Sequence, residues 1–382
     1  MEKQGPDLCS SIQCSGCGAC AAACAFAAIA MTIDKNGFRY PQVNNTLCKN
    51  CGACIKVCHI LHPADKHKII GDVLAVWAKE DKFRLNSSSG GVASVFSDYT
   101  LSNDGYVTGV VWDENFQAVM KLLKTPTDIA SCRGSKYVEV NTNEIFQAVS
   151  GELRKQKTIL FIGLPCHVAA IKTFIPQSLH NNLITVEIIC HGVPAQKSWK
   201  NYVDLLKKKY PSMVDFTFRK NDAWGYCETA VLADGTKIKE KQIYLSAFLR
   251  NFLTRESCFN CPYASKDRIA DLTIGDFWYY PKPSNGGGVS YVSLNTETGL
   301  RLFEQVKERF IVKTDKWKNA ARENGNLYRP SPRPGNKETA MRDWYNMTAE
   351  DFAEKYHLFP GFLEKIMSIP RRAVKKILKY IR

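Results

Sequence analysis

Eight cysteines in the N-terminal part of the chain form two runs with the same spacing. The first run consists of Cys14, Cys17, Cys20 and Cys24, and the second of Cys48, Cys51, Cys54 and Cys58. This spacing is typical of 4Fe-4S clusters. Three thiolates on one loop can bind three irons of a cube, while the fourth lies on the helix that follows and points away. We therefore predict two iron-sulfur clusters within residues 1–62.

The fourth cysteine of each run is expected to complete the cluster of the other run. One cluster then has the ligands Cys14, Cys17, Cys20 and Cys58, and the other has Cys48, Cys51, Cys54 and Cys24. Ala25 and His59 stand where proline usually follows the fourth cysteine. Zinc is the alternative because paired Cys-x-x-Cys motifs also bind it, but zinc requires no third thiolate at this interval.

Four more cysteines lie at the ends of predicted elements, and they are Cys166, Cys190, Cys258 and Cys261. They could converge on one metal centre, either a third 4Fe-4S cluster or a zinc ion, and their spacing alone leaves this open. The remaining three, Cys9, Cys132 and Cys227, are expected to be small buried hydrophobic residues.

Two loops have the composition of a phosphate site. Asn86-Ser-Ser-Ser-Gly-Gly91 precedes a predicted helix and offers hydroxyl groups and exposed N-H groups at the positive helix end. Arg133-Gly-Ser-Lys-Tyr137 places a glycine between two cations and an aromatic ring. An ordinary helix cap and an ordinary turn are the alternatives. No Gly-x-Gly-x-x-Gly follows a strand, so nicotinamide binding on a Rossmann unit is not supported.

Apolar runs alternate with helical patterns after residue 72, which predicts an α/β or α+β core. Strands are expected at 73–79, 106–112, 158–162, 183–189, 214–219, 272–275 and 289–294. Helices are expected at 91–102, 143–156, 166–174, 196–209 and 298–309. Between the two cysteine runs, Asn36-Gly37 predicts the turn of a hairpin.

Composition limits the class of protein. The chain has 382 residues, 15 cysteines and a net charge of +15, with a pI near 9.1. Cysteines without a secretory signal indicate thiolate ligands in a reducing cytoplasm, and no apolar stretch approaches the roughly 20 residues that span a bilayer. The basic excess favours an acidic partner, and an electron carrier such as ferredoxin or flavodoxin suits the clusters. Motifs that read nucleic acid are missing.

Six motifs follow one another between residues 70 and 310. They are Ser89-Gly-Gly91, Gly134-Ser-Lys-Tyr137, Leu164-Pro-Cys166, Ile189-Cys190-His-Gly, Phe218-Arg-Lys with Trp224-Gly225, and Cys258-x-x-Cys-Pro-Tyr263 leading to Ala270-Asp-Leu-Thr-Ile-Gly-Asp-Phe-Trp278. In this order they resemble the family of coenzyme F420 hydrogenase/dehydrogenase beta subunits. The family binds FAD beside a 4Fe-4S cluster. Its plant relative, the hydroxymethyl chlorophyll a reductase, is similar in carrying an extra ferredoxin-like part.

The resemblance implies roles for individual residues. Cys166, Cys190, Cys258 and Cys261 match the ligands of the family's core cluster, which favours a third cluster over zinc. The positions that match the family's flavin-contacting motifs are Ser89, Gly90, Gly91, Gly134, Ser135, Lys136 and Tyr137. Candidates on the substrate side, chosen only because they adjoin motifs, are His191, Lys220, Trp224 and Asp276.

We therefore expect a bacterial-ferredoxin-like module at 1–62 and a mixed α/β flavin-binding core in two parts, 72–195 and 196–315. The expected function is a ferredoxin-dependent or deazaflavin-dependent oxidoreductase that passes electrons through the clusters to FAD and on to an organic substrate. The substrate, whether a small molecule or a glycan, is not identified, and the reverse direction is equally consistent. An electron-relay subunit and a non-enzymatic metal-binding protein are the alternatives.

A helical basic tail is expected at 336–382. In its last part, Val374, Ile377, Leu378 and Ile381 fall at helical spacing among lysines and arginines. Such a helix either lies on an anionic membrane surface or docks its apolar side on the protein's own core.

Overall fold

The fold is given by a computed structural model that describes residues 6–142, 144–219, 224–281 and 287–359. In the N-terminal part of the protein, the first cysteine run contains the one-turn helix α1 (Ala19–Ala22), and the second contains the one-turn helix α2 (Ala53–Lys56). Gly18 and Gly52 precede these helices with φ of 79° and 74°, a left-handed conformation that glycine adopts without strain. An antiparallel hairpin, β1 (Ile29–Ile33) and β2 (Arg39–Val43), separates the two runs.

The core contains an eight-stranded mixed sheet. Its strands are β3 (Val73–Ala78), β4 (Tyr106–Trp112), β5 (Ala118–Leu123), β6 (Ile159–Gly163), β7 (Leu183–Ile188), β11 (Leu272–Asp276), β12 (Ser290–Leu294) and β13 (Phe310–Asp315). Their order across the sheet is β13-β3-β12-β11-β7-β6-β4-β5. A separate three-stranded antiparallel sheet is formed by β8 (Met213–Arg219), β9 (Tyr226–Leu232) and β10 (Lys237–Lys239).

The helices of the core and of the segment after it are α3 (Asp81–Arg84), α4 (Val92–Ser102), α5 (Ile129–Cys132), α6 (Ile145–Arg154), α7 (Pro165–Phe174), α8 (Gln196–Lys209), α9 (Ile243–Leu249), α10 (Glu297–Val306), α11 (Trp317–Glu323), α12 (Lys337–Asn346) and α13 (Ala349–Lys355). They pack on the large sheet or on one another, as α12 does on α8 and α13 on α9. Strand β6 shows why two layers form. Ile159 and Phe161 pack into one apolar cluster and Leu160 into the other, because successive side chains point to opposite faces.

The central strands β4, β6, β7 and β11 run parallel to one another. Their carboxyl ends therefore lie at one edge of the sheet, where ligands commonly bind in α/β folds. The segments that follow β6 and β7 contain Cys166 and Cys190. The fold thus brings two cysteines that are far apart in the sequence to the same edge.

The N-terminal module packs directly against the core. Gly37, at the tip of the hairpin, adopts a φ of 87°, and a Cβ added there would collide with the side chains of Lys197 and Tyr345. The hydroxyl of Tyr345 donates a hydrogen bond to the carbonyl of Asn36 at 2.7 Å. Phe38 is 2% exposed within the larger apolar cluster of the core. Helices α8 and α12 therefore hold the hairpin tip in place.

The strands and helices expected in the core are present within one or two residues of their predicted bounds, except that α10 ends at Val306, three residues before the predicted end. The prediction missed β5, β9, β10 and β13. β10 and β13 bury at most one side chain each, whereas the buried residues of β9 are consecutive and give no alternating apolar pattern. Among the described residues no helix is long and apolar enough to cross a membrane. Lys220 and the expected helix at 370–382 lie outside the described residues.

Candidate metal centres and the adjoining cavity

The thiols of Cys14, Cys17, Cys20 and Cys58 lie near one another. Burial raises the pKa of Cys17 to about 12, and charge on Cys14 and Cys58 adds to this rise. Burial also raises the pKa of Cys20, with further contributions from the other three thiols. Cys58 thus lies beside the first run, although it belongs to the second.

The second group shows the reciprocal arrangement. Burial raises the pKa of Cys54, and charge on Cys24 and Cys51 adds to the rise. Cys51 is exposed to solvent, so this group lies closest to the protein surface. Cys24 and Cys58 thus each lie beside the other run, and the crossed ligand sets stay a prediction.

Cys166, Cys190, Cys258 and Cys261 form a third group. Burial raises the pKa of Cys166 well above its ordinary value, and charge on the other three thiols of the group contributes. Burial raises the pKa of Cys258 to about 12, with a further contribution from Cys261. Charge on Cys17 also acts on Cys166, so the third group adjoins the first.

Within the described parts of the chain, no group of three or more His, Cys, Asp or Glu side chains is arranged to hold a single metal ion.

A cavity of about 420 Å³ opens at the carboxyl ends of the parallel strands. Its wall includes Ile162 and Gly163 from β6, Ile188 beside Cys190, and Ile274 from β11. Both loops that the sequence marks as phosphate sites line this cavity. Cys190 belongs to the wall and to the third group of thiols. One cysteine thus joins the candidate metal centre to the cavity.

The first loop ends at the N-terminus of α4. Gly91 precedes the helix with a φ of 85°, and no side chain caps the helix there. The wall of the cavity includes Ser89, Gly91 and the first residues of α4, so the unpaired N-H groups of the first turn face a space large enough for a ligand. Gly90 is not among the residues that line the cavity, and it allows the loop to pack closely on the strands. Its N-H donates to Ser290 Oγ at 2.9 Å, and an added Cβ would strike a strand carbonyl.

The second loop faces the first across the cavity. Ser135 Oγ donates to Ser88 Oγ at 3.3 Å, and Gly134 has a φ of 76°. Lys136 Nζ donates to the carbonyl of Arg133 at 3.1 Å, and burial lowers the pKa of Lys136. The Lys136 ammonium therefore shapes its own loop while it adds positive charge to the cavity wall.

Asp276 belongs to a buried polar network. Arg219 forms a bidentate ion pair with it, with Nη1 to Oδ2 at 2.8 Å and Nη2 to Oδ1 at 2.9 Å. Trp224 Nε1 donates to the same carboxylate at 2.7 Å, and Arg219 Nη1 donates to the Tyr137 hydroxyl at 3.1 Å. Two of the expected substrate-side residues are thus hydrogen-bonded to each other and linked to the second loop.

His191 lines the cavity beside Cys190. Its ring meets Phe248 edge-on at 5.2 Å, and burial lowers its pKa. Its Nε2 is buried and makes no hydrogen bond of ordinary geometry among the described residues, while Asn251 and the backbone of Leu249 interact with the ring and oppose the fall in pKa. His191 is therefore a candidate to form a hydrogen bond with a molecule in the cavity.

Sequence reasoning missed three residues at these sites. Arg219 stands next to Lys220 in a quoted motif, yet only the fold shows that it pairs with Asp276. His167 follows Cys166 and lines the cavity, where burial lowers its pKa to about 4. Cys9, expected to be an inert hydrophobic residue, makes side-chain hydrogen bonds with Cys14 and Cys58. No sequence signal distinguishes Cys9 from other isolated cysteines.

The comparisons with known proteins agree with this description. Residues 73–147 match the N-terminal part, and residues 156–320 the C-terminal part, of the coenzyme F420 hydrogenase/dehydrogenase beta subunit. Residues 13–60 match a 4Fe-4S dicluster domain. The chain belongs to the family of coenzyme F420 hydrogenase/dehydrogenase beta subunits, with an iron-sulfur dicluster module at its N-terminus. It is therefore an iron-sulfur protein of an oxidoreductase family.

One curated relative is a subunit of the F420H2 dehydrogenase of Methanosarcina mazei. It is 22% identical over 318 residues, which cover 79% of this chain and 84% of the relative. Among solved structures, a chain of the xenon-derivatised F420-reducing NiFe hydrogenase complex from Methanosarcina barkeri aligns with a TM-score of 0.48 and 16% identity, over 72% of this chain and 93% of that one.

Proposed function

We propose that the protein is a flavin-dependent iron-sulfur oxidoreductase that transfers electrons between a small carrier protein and an organic substrate. The supporting observation is the position of Cys190, which adjoins Cys258 and Cys261 and also lines the cavity. A cluster bound by these thiols would lie against any molecule in the cavity. Electrons could then pass between the two without a further carrier.

Three features of the cavity support the proposal that FAD binds there. The uncapped N-terminus of α4 and the polar loop at 133–137 suit the diphosphate, and Tyr226, Phe248 and Trp278 supply aromatic surface for a ring system. Bound there, FAD would exchange single electrons with a cluster and a hydride with an organic substrate. The protein's part is to position the ring, exclude water and supply fixed charge.

Two groups of this chain are suited to act on the bound molecules. The Arg219–Asp276 pair is almost fully buried, with side-chain exposures of 2% and 13%, so it presents a fixed polar surface to the cavity. His191 Nε2 provides a nitrogen that can accept or donate one hydrogen bond. We assign substrate positioning to these groups, with Trp224 holding the carboxylate of Asp276. Lys220 remains a sequence-based candidate.

The three thiol groups define a route for electrons. The group with the exposed Cys51 lies at the surface, the group of Cys14, Cys17, Cys20 and Cys58 comes next, and the group with Cys166 adjoins the cavity. We propose one 4Fe-4S cluster in each group. Electrons would then enter or leave through the cluster at Cys51.

An acidic ferredoxin or flavodoxin is the proposed carrier. The surface beside the outer cluster offers Lys49 and Lys56 together with the exposed apolar side chain of Leu47. The net charge of +15 would steer an acidic partner towards the protein. The name of the Methanosarcina mazei relative indicates that it acts on reduced coenzyme F420, so a deazaflavin is one candidate substrate here.

Anaerobic titration tests this function. The purified protein should contain about twelve irons per chain and one FAD, and reduced ferredoxin should bleach the flavin absorbance. The substrate is identified as the compound that reoxidises the reduced flavin, tested with oxidised coenzyme F420 first and with small organic acceptors second. A protein with zinc and no visible absorbance would refute the proposal and support the non-enzymatic alternative.

An electron-relay subunit is the second candidate function. It is favoured by the relative, whose name describes one subunit of a dehydrogenase. A relay would exchange electrons with its carrier and with a neighbouring protein of the complex but would turn over no organic acceptor alone. Oxidation of the reduced flavin by that neighbouring protein only, in the absence of any small molecule, would support this candidate over the first.

A further inference from the structure

A buried arginine connects the N-terminal module to the core between two of the thiol groups. Arg255 is 1% exposed, and its Nη1 donates to the carbonyl of Cys14 at 3.1 Å. Its Nη2 donates to the carbonyl of Arg39 at 2.8 Å. Its own carbonyl accepts a hydrogen bond from the N-H of Cys258 at 3.1 Å. One residue is thus fixed to a cysteine of the module and to a cysteine of the core.

Glu139 completes this contact. Its carboxylate forms an ion pair with Arg255 and accepts the N-H of Arg39 at 3.1 Å. Gly16 passes directly over the pair, and a Cβ on Gly16 would lie 2.8 Å from Glu139 Oε1. The glycine at this position of the first cysteine run is therefore required for the ion pair to reach the thiols.

These contacts bring the guanidinium close to both thiol groups. Its Nη1 is hydrogen-bonded to the main chain of Cys14, and the main chain of Arg255 is hydrogen-bonded to Cys258. At 1% exposure the positive charge is poorly screened by water, so it acts strongly on groups of opposite charge nearby.

A second buried arginine provides a comparison inside the same protein. Arg268 forms an ion pair with Glu187 and donates to the carbonyl of Ser265 at 2.9 Å. Its Nη1 also donates to the carbonyl of Tyr263 at 3.3 Å, two residues after Cys261. Its side-chain partners lie between residues 187 and 273, all within the core. The Arg268 side chain is therefore bonded beside the third thiol group, and none of these bonds reaches the cysteine runs of the module.

We infer that Arg255 sets the reduction potentials of two neighbouring clusters together, while Arg268 acts on the core cluster alone. The inference rests on the proposed function, since it takes clusters at Cys14, Cys17, Cys20 and Cys58 and at Cys166, Cys190, Cys258 and Cys261. A cluster gains one negative charge on reduction, and a fixed cation in a dry site stabilises that state. A shared cation raises both potentials in the same direction, so removing it should lower both together.

Potentiometry followed by electron paramagnetic resonance tests the inference on the whole protein. Arg255→Met should shift two cluster potentials to more negative values, whereas Arg268→Met should shift only one of them. Arg255→Lys keeps the positive charge, so both potentials should stay close to their wild-type values. Equal effects of Arg255→Met and Arg268→Met on a single cluster would overturn the inference.

Glu139→Gln tests the same electrostatics with the arginine in place. Removing the negative charge should shift the same two potentials in the positive direction, and the Arg255→Met/Glu139→Gln variant should return towards the wild type. If Arg255→Met loses iron and Glu139→Gln shifts neither potential, Arg255 is structural only and the inference fails.

Failure of the proposed function would appear differently. Iron analysis of the wild type near eight per chain, or missing flavin, contradicts the proposed function without any variant. In that case the reduction potential of the cluster at Cys14 can still be compared between Arg255→Met and the wild type. If the two proteins have the same potential for this cluster, the inference is overturned.

Discussion

His59 Nδ1 and the hydroxyl of Tyr263 lie 2.6 Å apart in a buried hydrogen bond. His59 follows Cys58 directly, and Tyr263 stands two residues after Cys261. His59 Nε2 lies 2.9 Å from Ser15 Oγ, so the same ring also contacts the first cysteine run. Burial lowers the pKa of His59 to about 4, which keeps the ring neutral. The residue that replaces the usual proline thus connects the loops of two thiol groups.

The first prediction concerns the core thiols. Cys258→Ser should lower the iron content by about four per chain and leave the two N-terminal clusters in place, since its neighbours belong to the third group. Anaerobic iron and sulfide analysis measures this loss. Cys227→Ser is the matched control, because Cys227 is also buried and stands in β9. Equal iron in the Cys258→Ser variant and the wild type would contradict the assignment.

The second prediction concerns flavin binding. Lys136→Ala should weaken FAD binding by roughly ten-fold, because the variant loses a cation of the cavity wall and the hydrogen bonds that shape its loop. Flavin released on dilution and detected by fluorescence measures the change. Lys124→Ala removes an exposed lysine from the end of β5 and should retain the flavin. Full occupancy in Lys136→Ala would show that this loop does not contact the diphosphate.

The third prediction concerns the pH dependence of stability. Burial raises the pKa of Glu228 from 4.5 to about 8, while hydrogen bonds from Tyr202 and Leu245 oppose the rise. Between these pH values the folded protein holds one proton more than the unfolded chain, so this residue makes stability fall as pH rises. The slope is about 1.4 kcal/mol per pH unit for a whole proton.

Glu228→Gln replaces the titratable carboxyl group with a neutral amide of nearly the same shape. The variant should gain stability relative to the wild type as the pH increases from about 5.5 to about 8, measured by anaerobic thermal denaturation. Glu308→Gln, on an exposed turn, should change nothing over the same range. A constant difference between Glu228→Gln and the wild type at all pH values would exclude a protonated Glu228.

The fourth prediction concerns the carrier. The rate of electron transfer from reduced ferredoxin should fall as salt is added, because steering weakens once the Debye length shortens to about 8 Å near physiological ionic strength. Lys49→Gln/Lys56→Gln should reduce the rate at low salt more than at high salt. A rate that does not change with salt would exclude electrostatic recruitment of the carrier.

Local patterns in the sequence were sufficient for most strands of the large sheet, for five of the helices and for the positions of the two cysteine runs. β7 buries four of its six side chains, and α4 begins directly after a glycine, so these elements are recognisable from a few residues. The thiol spacing within each run reflects the dimensions of a cluster, which one loop can satisfy alone.

Only the tertiary structure decided which distant residues meet. Cys166 and Cys190 come together because β6 and β7 are parallel neighbours, and no local pattern encodes that pairing. Arg219 reaches Asp276, and Arg255 reaches Cys14, across gaps of 57 and 241 residues. Local spacing determines what a single loop or helix can bind, whereas contacts between elements depend on how buried surfaces fit together across the whole chain.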